Sequence, residues 1–228
     1  MARRIFLILF SALLLLPVLA ISARRGWLGS SAARWIQLQE GALRFNWIYS
    51  GNETPFRKAP NEFLVQAVAD LKPGLALDVA MGQGRNALYL ASRGWKVTGF
   101  DIAGSGLRSA REQAFAAHVN IRTVQATVED FDYGREQWDL IVLIYVPIRY
   151  GDPKIVNRLR DALKPGGWVV AESPVEGSPA PGDLRPGQLR SLFDDLRILY
   201  YDESTGVTEW FPRETIVARM IAEKPETP

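Results

Sequence analysis

The stretch LDVAMGQGRNALYLASRGWKVTGFD, residues 77–101, decides the fold. Leu75–Met81 is a short apolar run broken only by Asp78, with the length and composition of a buried strand. Gly82 and Gly84 allow a tight turn and a close approach of backbone to a ligand. From Arg85 to Arg93 the spacing becomes helical, and Gly94 closes the segment as a C-terminal glycine does. Lys96–Phe100 is a second strand, followed at once by Asp101. Strand, glycine turn, helix and strand make one βαβ unit, so the two strands run parallel.

The alternation continues downstream. A helix is expected over Asn61–Leu71, with Asn61 as N-cap. Further helices are expected over Ser105–Ala117 and Pro153–Leu163, and strands over Ile121–Ala126, Trp138–Tyr145 and Trp168–Glu172. Lys164-Pro165-Gly166-Gly167 should stop the helix before the fifth strand. LIVLIY (140–145) is apolar throughout, as a sheet covered on both faces requires. Arg197–Tyr201 and Ile216–Glu223 are separated by turn-like residues, Ser204-Thr205-Gly206 and Pro212, with no crossover helix between them. That implies antiparallel pairing. The expected fold is α/β, a Rossmann-like doubly wound sheet of seven mostly parallel strands with an antiparallel last strand, preceded by an N-terminal hydrophobic helix. The proline- and glycine-rich stretch 174–187 reads as a surface loop at the carboxyl edge of the sheet, where ligands bind in such folds.

The N-terminus departs from this pattern. Residues 1–25 read MARRIFLILFSALLLLPVLAISARR, with Arg3 and Arg4 ahead of an apolar run from Ile5 to about Ala23. As a helix the run would span roughly 28 Å, close to a hydrocarbon core of about 30 Å. It is either a membrane anchor or a secretory signal cut near Ala20 or Ala23. Arginines flank both ends, so charge alone orients it weakly. Residues 26–55 form a connector with Trp27, Trp35, Trp47 and Arg44. It suits a membrane interface, or a helix packed as a lid over the following domain, or both. Residues 56–228 are the third unit.

Composition narrows the chemistry. The 228 residues carry a formal net charge of +2, too small to argue for a nucleic-acid partner. With no cysteine there is no disulfide, thiolate ligand or thiol nucleophile, and a lone histidine, His118, rules out a histidine-rich metal site. His118 falls in a turn at the edge of the sheet away from the glycine loop.

The glycine turn could be a plain strand–turn–helix joint with no ligand, and the two acids of the opening stretch point instead to a nucleoside site. Asp101 closes the second strand, where a carboxylate accepts hydrogen bonds from ribose hydroxyls. Asp78 sits just before the glycines and would repel a pyrophosphate, but favours a cationic amino-acid group. No Lys-Ser/Thr follows the loop, so it is not a P-loop.

Together with WDLIVLIY (138–145) and LRDALKPGGWVVAE (159–172), the stretch resembles class I S-adenosylmethionine-dependent methyltransferases. The likeness is to small-molecule enzymes of the tellurite-resistance and ubiquinone-biosynthesis type, and covers roughly residues 56–225. The resemblance implies S-adenosyl-L-methionine as cofactor and direct in-line methyl transfer to a small-molecule acceptor. It implies that Asp78, Ala80, Gly82 and Gly84 hold the methionine moiety, Asp101 the ribose, and Ile102 the adenine. Ala126 to Asp130, including Thr127 and Val128, would edge the adenine, and Leu143 and Ile144 would line the cofactor beside the acceptor. Two positions depart from the family's pattern. Ala80 replaces a glycine, implying a less extreme backbone angle, and Thr127 replaces an acid.

A sulfonium methyl is already activated, so alignment and exclusion of water suffice, and no catalytic residue is assigned. Acceptor-side candidates are Tyr145, Arg149, Tyr150, Arg57, Asn61, Glu172 and Glu176. Two other readings remain. Gly82, Gly84 and Ala87 also fit G-x-G-x-x-A, as in an NAD(P)-dependent oxidoreductase of Rossmann type. Alternatively, the chain is a membrane-tethered nucleoside-binding module without turnover. Because S-adenosylmethionine is a cytosolic metabolite, an active enzyme is expected to be membrane-anchored through the N-terminal helix with its catalytic domain facing the cytoplasm. A signal peptide and export is the alternative.

Overall fold

A computed structural model describes residues 30–51, 56–146, 153–175, 184–208 and 214–226, with side chains from residue 38 onward. In chain order the elements are α1 (Ser30–Ser50), α2 (Glu62–Ala67), β1 (Leu75–Val79), α3 (Arg85–Ser92), β2 (Lys96–Asp101), α4 (Gly104–Ala116) and β3 (Ile121–Gln125). They continue with β4 (Trp138–Ile144), α5 (Pro153–Ala162), β5 (Leu163–Pro174), α6 (Gln188–Leu192), β6 (Arg197–Val207) and β7 (Glu214–Glu223).

The seven strands form one sheet in the order β3-β2-β1-β4-β5-β7-β6. The first five are mutually parallel, and β7 runs antiparallel to both β5 and β6. The strand order reverses between β1 and β4, so the carboxyl ends of β1, β2 and β4 border the switch point where such sheets bind ligands.

The sheet is covered on both faces. Ala76, Val97, Leu140, Val142 and Val170 face Leu64, Leu90, Leu107 and Ala110 of α2, α3 and α4. Leu77, Val79, Ile141, Leu143, Val169 and Ala171 face Ile155, Val156 and Leu159 of α5 and Leu189 of α6. No helix links β3 to β4. Three aromatic rings cover that corner instead. Phe100 stacks on Phe131 at 4.1 Å between centroids, and Tyr133 meets both edge-on.

Some boundaries differ from expectation. Asn61 caps α2 by accepting from the Leu64 N–H, but the helix ends at Ala67. Lys164–Gly167 does not precede β5; it bulges from within it, because Trp138 pairs with Leu163 while Leu140 pairs with Trp168. Ser204-Thr205-Gly206 is not a turn: these residues pair with Val217, Ile216 and Thr215 in the β6–β7 ribbon. In the loop after β5, buried Val175 and Leu184 form a parallel bridge, and α6 follows. His118 is exposed in the turn after α4, as expected.

Among the described residues no helix is long and apolar enough to cross a membrane. The expected hydrophobic helix at residues 5–23 lies outside them.

Candidate functional site

The glycine loop is held in left-handed backbone. Ala80, Gly82 and Gly84 have φ of 54°, 56° and 80°. Ala80 therefore does not relax to a less extreme angle; it takes the glycine-like one, at a steric cost of about 1 kcal/mol. A Cβ on Gly84 would lie 2.9 Å from Met81 Cε and 3.0 Å from Ala110 Cβ, so this glycine serves the close packing of α3 on α4.

Asp78, near the end of β1, is 2% exposed. Its Oδ2 has no hydrogen-bond partner among the described residues. Burial lifts its pKa from 3.8 to about 7, against the lowering effects of the Arg85 charge and the Ala87 N–H. The Asp101 charge adds a little to the rise. A cavity of about 550 Å³ is lined by Asp78, Ala80, Gly82, Arg85 and, from the tip of β4, Ile144. Arg57 and Lys58 add positive charge to its wall. A buried, unpartnered carboxylate oxygen beside several cations is a donor set for a zwitterion: the acid takes an ammonium, the cations a carboxylate.

Asp101 ends β2 and is also buried. Its Oδ2 accepts from Gly82 N–H at 2.9 Å and its Oδ1 from Ala103 N–H at 2.8 Å. Burial raises its pKa, and these backbone hydrogen bonds oppose the rise. The Ile102 N–H also bonds this carboxylate, so three of its four lone-pair sites are taken and one is left for a ribose hydroxyl; the same group pins the glycine loop to the start of α4.

A second cavity, about 880 Å³, is lined by Ile102, Ala126, Thr127 and Asp130 from the strand tips. Leu38 and Ala42 of α1 close its other side. The Thr127 hydroxyl is engaged locally: it donates to Asp130 Oδ2 at 2.8 Å and accepts from Asp130 N–H. Asp130 thus restores a carboxylate at the place where Thr127 lacks one. Val128 packs toward the core and its carbonyl accepts from the Tyr133 hydroxyl.

Leu143 does not line either cavity. It is fully buried against the α5 side of the sheet, whereas Ile144, one residue on, faces the first cavity. Successive strand residues point to opposite faces, so only one of the pair can reach it.

The acceptor-side candidates separate. Asn61 Nδ2 donates to Glu172 Oε1 at 2.8 Å, and Arg219 Nε donates to Glu172 Oε2 at 2.8 Å. Both Asn61 and Glu172 are thereby committed to a buried polar joint linking α2, β5 and β7. Tyr145 is buried among core residues with φ of 54°. Arg57 is exposed and pairs with Glu62. Arg149, Tyr150 and Glu176 lie outside the described residues.

Two residues at the site were not singled out from the sequence. Arg85 opens α3 beside Asp78, and an arginine directly after the second glycine was the available signal. Tyr49 of α1 lines the first cavity, 33 residues before Gly82 in the chain, in a segment with no motif of its own.

A sheet of this order, with a buried acid before the glycine turn and a second acid closing the next strand, has its cavities at the switch point where α/β sheets bind ligands. Residues 76–167 match a family model described as a methyltransferase domain. The chain is similar to TehB of Haemophilus influenzae, described as a probable S-adenosyl-L-methionine-dependent methyltransferase, with 27% identity over 63% of this chain and 53% of that protein. The crystal structure of that TehB superposes with a TM-score of 0.64 at 23% identity, covering 71% of this chain and 61% of the other. A ubiquinone biosynthesis O-methyltransferase from Alkalilimnicola ehrlichii is 31% identical over 48% of this chain and 45% of its own length. The structure of SpnF, a 4+2 cyclase, shares the fold with a TM-score of 0.67 at 15% identity, covering 83% and 97% of the two chains. Over residues 76–167 the chain thus carries a methyltransferase domain similar to that of proteins described as S-adenosyl-L-methionine-dependent methyltransferases. It spans about half the length of the curated relatives it matches.

Proposed function

We propose that this protein transfers the methyl group of S-adenosylmethionine to a small-molecule acceptor by direct in-line displacement. The observation that carries the reading is the orphaned Asp78 Oδ2 beside the glycine loop, because a buried carboxylate there suits an ammonium and disfavours a pyrophosphate. When bound, the cofactor supplies a methyl carbon already activated by its positive sulfur. Asp78 would hold the amino group, Arg85 and Arg57 the carboxylate, Asp101 the ribose, and Ile102 with the Thr127–Asp130 turn the adenine. Ile144 would border the methyl and exclude water from it. These contacts would align an acceptor's attacking atom with the methyl carbon, opposite the sulfur, and the proton displaced from the acceptor would pass to solvent on the acceptor side.

A shared fold does not itself assign methyl transfer, as the cyclase with the same architecture illustrates. Calorimetric titration separates the readings. S-adenosylmethionine should bind wild-type protein, NAD should not, and Asp78→Asn should weaken the sulfonium compound about 10–100-fold. Uptake of NAD, or of neither compound, would overturn the assignment. Transfer of labelled methyl from the cofactor into a small-molecule extract then tests turnover against a binding module without it.

The N-terminal apolar run is read as a helical membrane anchor, residues 1–25, followed by the connector 26–55 and the catalytic unit 56–228. The cytosolic origin of the cofactor supports a catalytic domain on the cytoplasmic side.

A further inference from the structure

The end of α1 lies against the glycine loop. A Cβ placed on Gly82 would fall 2.5 Å from the Tyr49 hydroxyl oxygen, and one on Gly106 would fall 3.0 Å from Tyr49 Cδ2. The ring of Tyr49 is flanked by Phe45 at 6.1 Å and Phe56 at 5.6 Å. Tyr49 is partly exposed, yet burial of its hydroxyl end raises the phenol's pKa, and the nearby Asp101 charge adds to this.

The same helix reaches the second cavity. Ala42 lines the adenine side and Tyr49 the methionine side, seven residues apart, or about 10 Å along the helix. So α1 contributes a wall to both cavities, which flank the Asp101–Gly82 contact: Gly82 lines the first and Ile102, next to Asp101, the second.

Its attachment is specific. The residue before α4, Ala103, has no side chain that can cap the helix, which leaves first-turn N–H groups unpaired. Asn46 of α1 supplies the missing acceptor: its Oδ1 accepts from Ser105 N–H at 2.9 Å. The Ser105 hydroxyl donates in return to the Asn46 carbonyl at 3.0 Å. Docking of α1 completes the N-terminus of α4, a cap provided from a distant part of the chain.

We propose that α1 is a lid latched by Asn46 onto α4, that its detachment gates entry and exit of the cofactor, and that Tyr49 is the lid residue forming a wall of the cofactor pocket. This rests on the cofactor reading above. The lid lies outside the matched residues 76–167, so it is a property of this chain's N-terminal segment.

The test is stopped-flow binding of S-adenosylhomocysteine to full-length protein. Asn46→Ala weakens the latch in both free and bound states, so association and dissociation should each accelerate about 3–10-fold with little change in their ratio. Tyr49→Ala should raise the dissociation constant about tenfold or more, and Tyr49→Phe should restore most of it if the ring forms the wall. Thermal melting of each unliganded variant separates loss of fold from loss of gating. Amide exchange over residues 42–51 should slow when the cofactor binds. Wild-type rates in Asn46→Ala together with wild-type affinity in Tyr49→Ala would overturn the lid. Failure of the wild type to bind would instead overturn the cofactor reading, and the lid with it.

Discussion

Asp78 makes opposite contributions before and after a cation arrives. In the free protein its carboxyl is held at about 7, up from 3.8, because burial penalises the charge. The folded state therefore holds this proton more tightly than the unfolded chain does. The associated stability is fully present below pH 3.8 and is lost as pH rises toward 7. The loss is on the order of 4 kcal/mol at most. Asp78→Asn removes this cost, so the unliganded variant should melt higher than wild type at pH 8 and not at pH 4. A bound ammonium reverses the balance by favouring the carboxylate. Cofactor affinity should then climb up to tenfold per pH unit on approach to 7 and level off above it, with a proton released on binding below 7. Titrations in buffers of different ionisation enthalpy measure that proton, and a flat profile would refute the pairing. Ala80 gives an independent check: with φ of 54° it should gain about 0.5–1 kcal/mol on replacement by glycine, a melting shift of roughly 1–4 °C. Asp78 and Asp101 were legible in the sequence because an acid at a strand tip breaks an apolar run visibly. Tyr49 was not, because nothing local marks which residue of a distant helix meets a glycine.

The strands and helices of the βαβ core follow closely from apolar runs and glycine stops, since β1, β2 and β4 are buried on both faces and each helix on one. What the runs do not encode is parity. LIVLIY is apolar at every position, so the choice between Leu143 and Ile144 as cavity residue is made by register with β1 and β5, which only the assembled sheet defines. The same limit explains Ser204-Thr205-Gly206, whose residues favour turns but whose backbone is claimed by the β7 ladder. Lys164–Gly167 did act as a break, yet both flanks pair with β4, so the break became a bulge. Packing of α3 on α4 is set by Gly84. Alanine there would have to adopt a φ of 80° and displace Met81 or Ala110, so Gly84→Ala should cost about 2–4 kcal/mol in chemical denaturation. Ala110→Gly alone should cost about 1 kcal/mol within α4, but combined with Gly84→Ala the loss should be smaller than the sum of the two, because one contact is relieved. Strict additivity of the two would place the Gly84→Ala cost wholly in the backbone angle.

At the scale of the whole molecule, the chain brings three demands into one place: a cytosolic cofactor, a latched helix over its pocket, and an apolar N-terminal run. Six residues lie between Ala23, where that run ends, and Ser30, the first residue of α1, so the seven Cα–Cα steps reach at most about 25 Å. An inserted run would therefore hold α1 close to the lipid surface. The helix carries Leu43 and Trp47 one turn apart, 55% and 80% exposed, as residues suited to an interface. If the run is an anchor, the protein should sediment with membranes, resist extraction by high salt, and be released by detergent. Replacing Leu13 and Leu14 with arginines should move it to the soluble fraction, since each charge at the centre of a span costs about 2.5–3.5 kcal/mol. Protease added outside intact cells should leave the catalytic domain uncut, while the same protease should cut it once the cells are opened. A mature chain recovered outside the cell, beginning just after Ala20 or Ala23, would show instead that the run is a signal. The methyl donor would then have to be sought outside the cytosol.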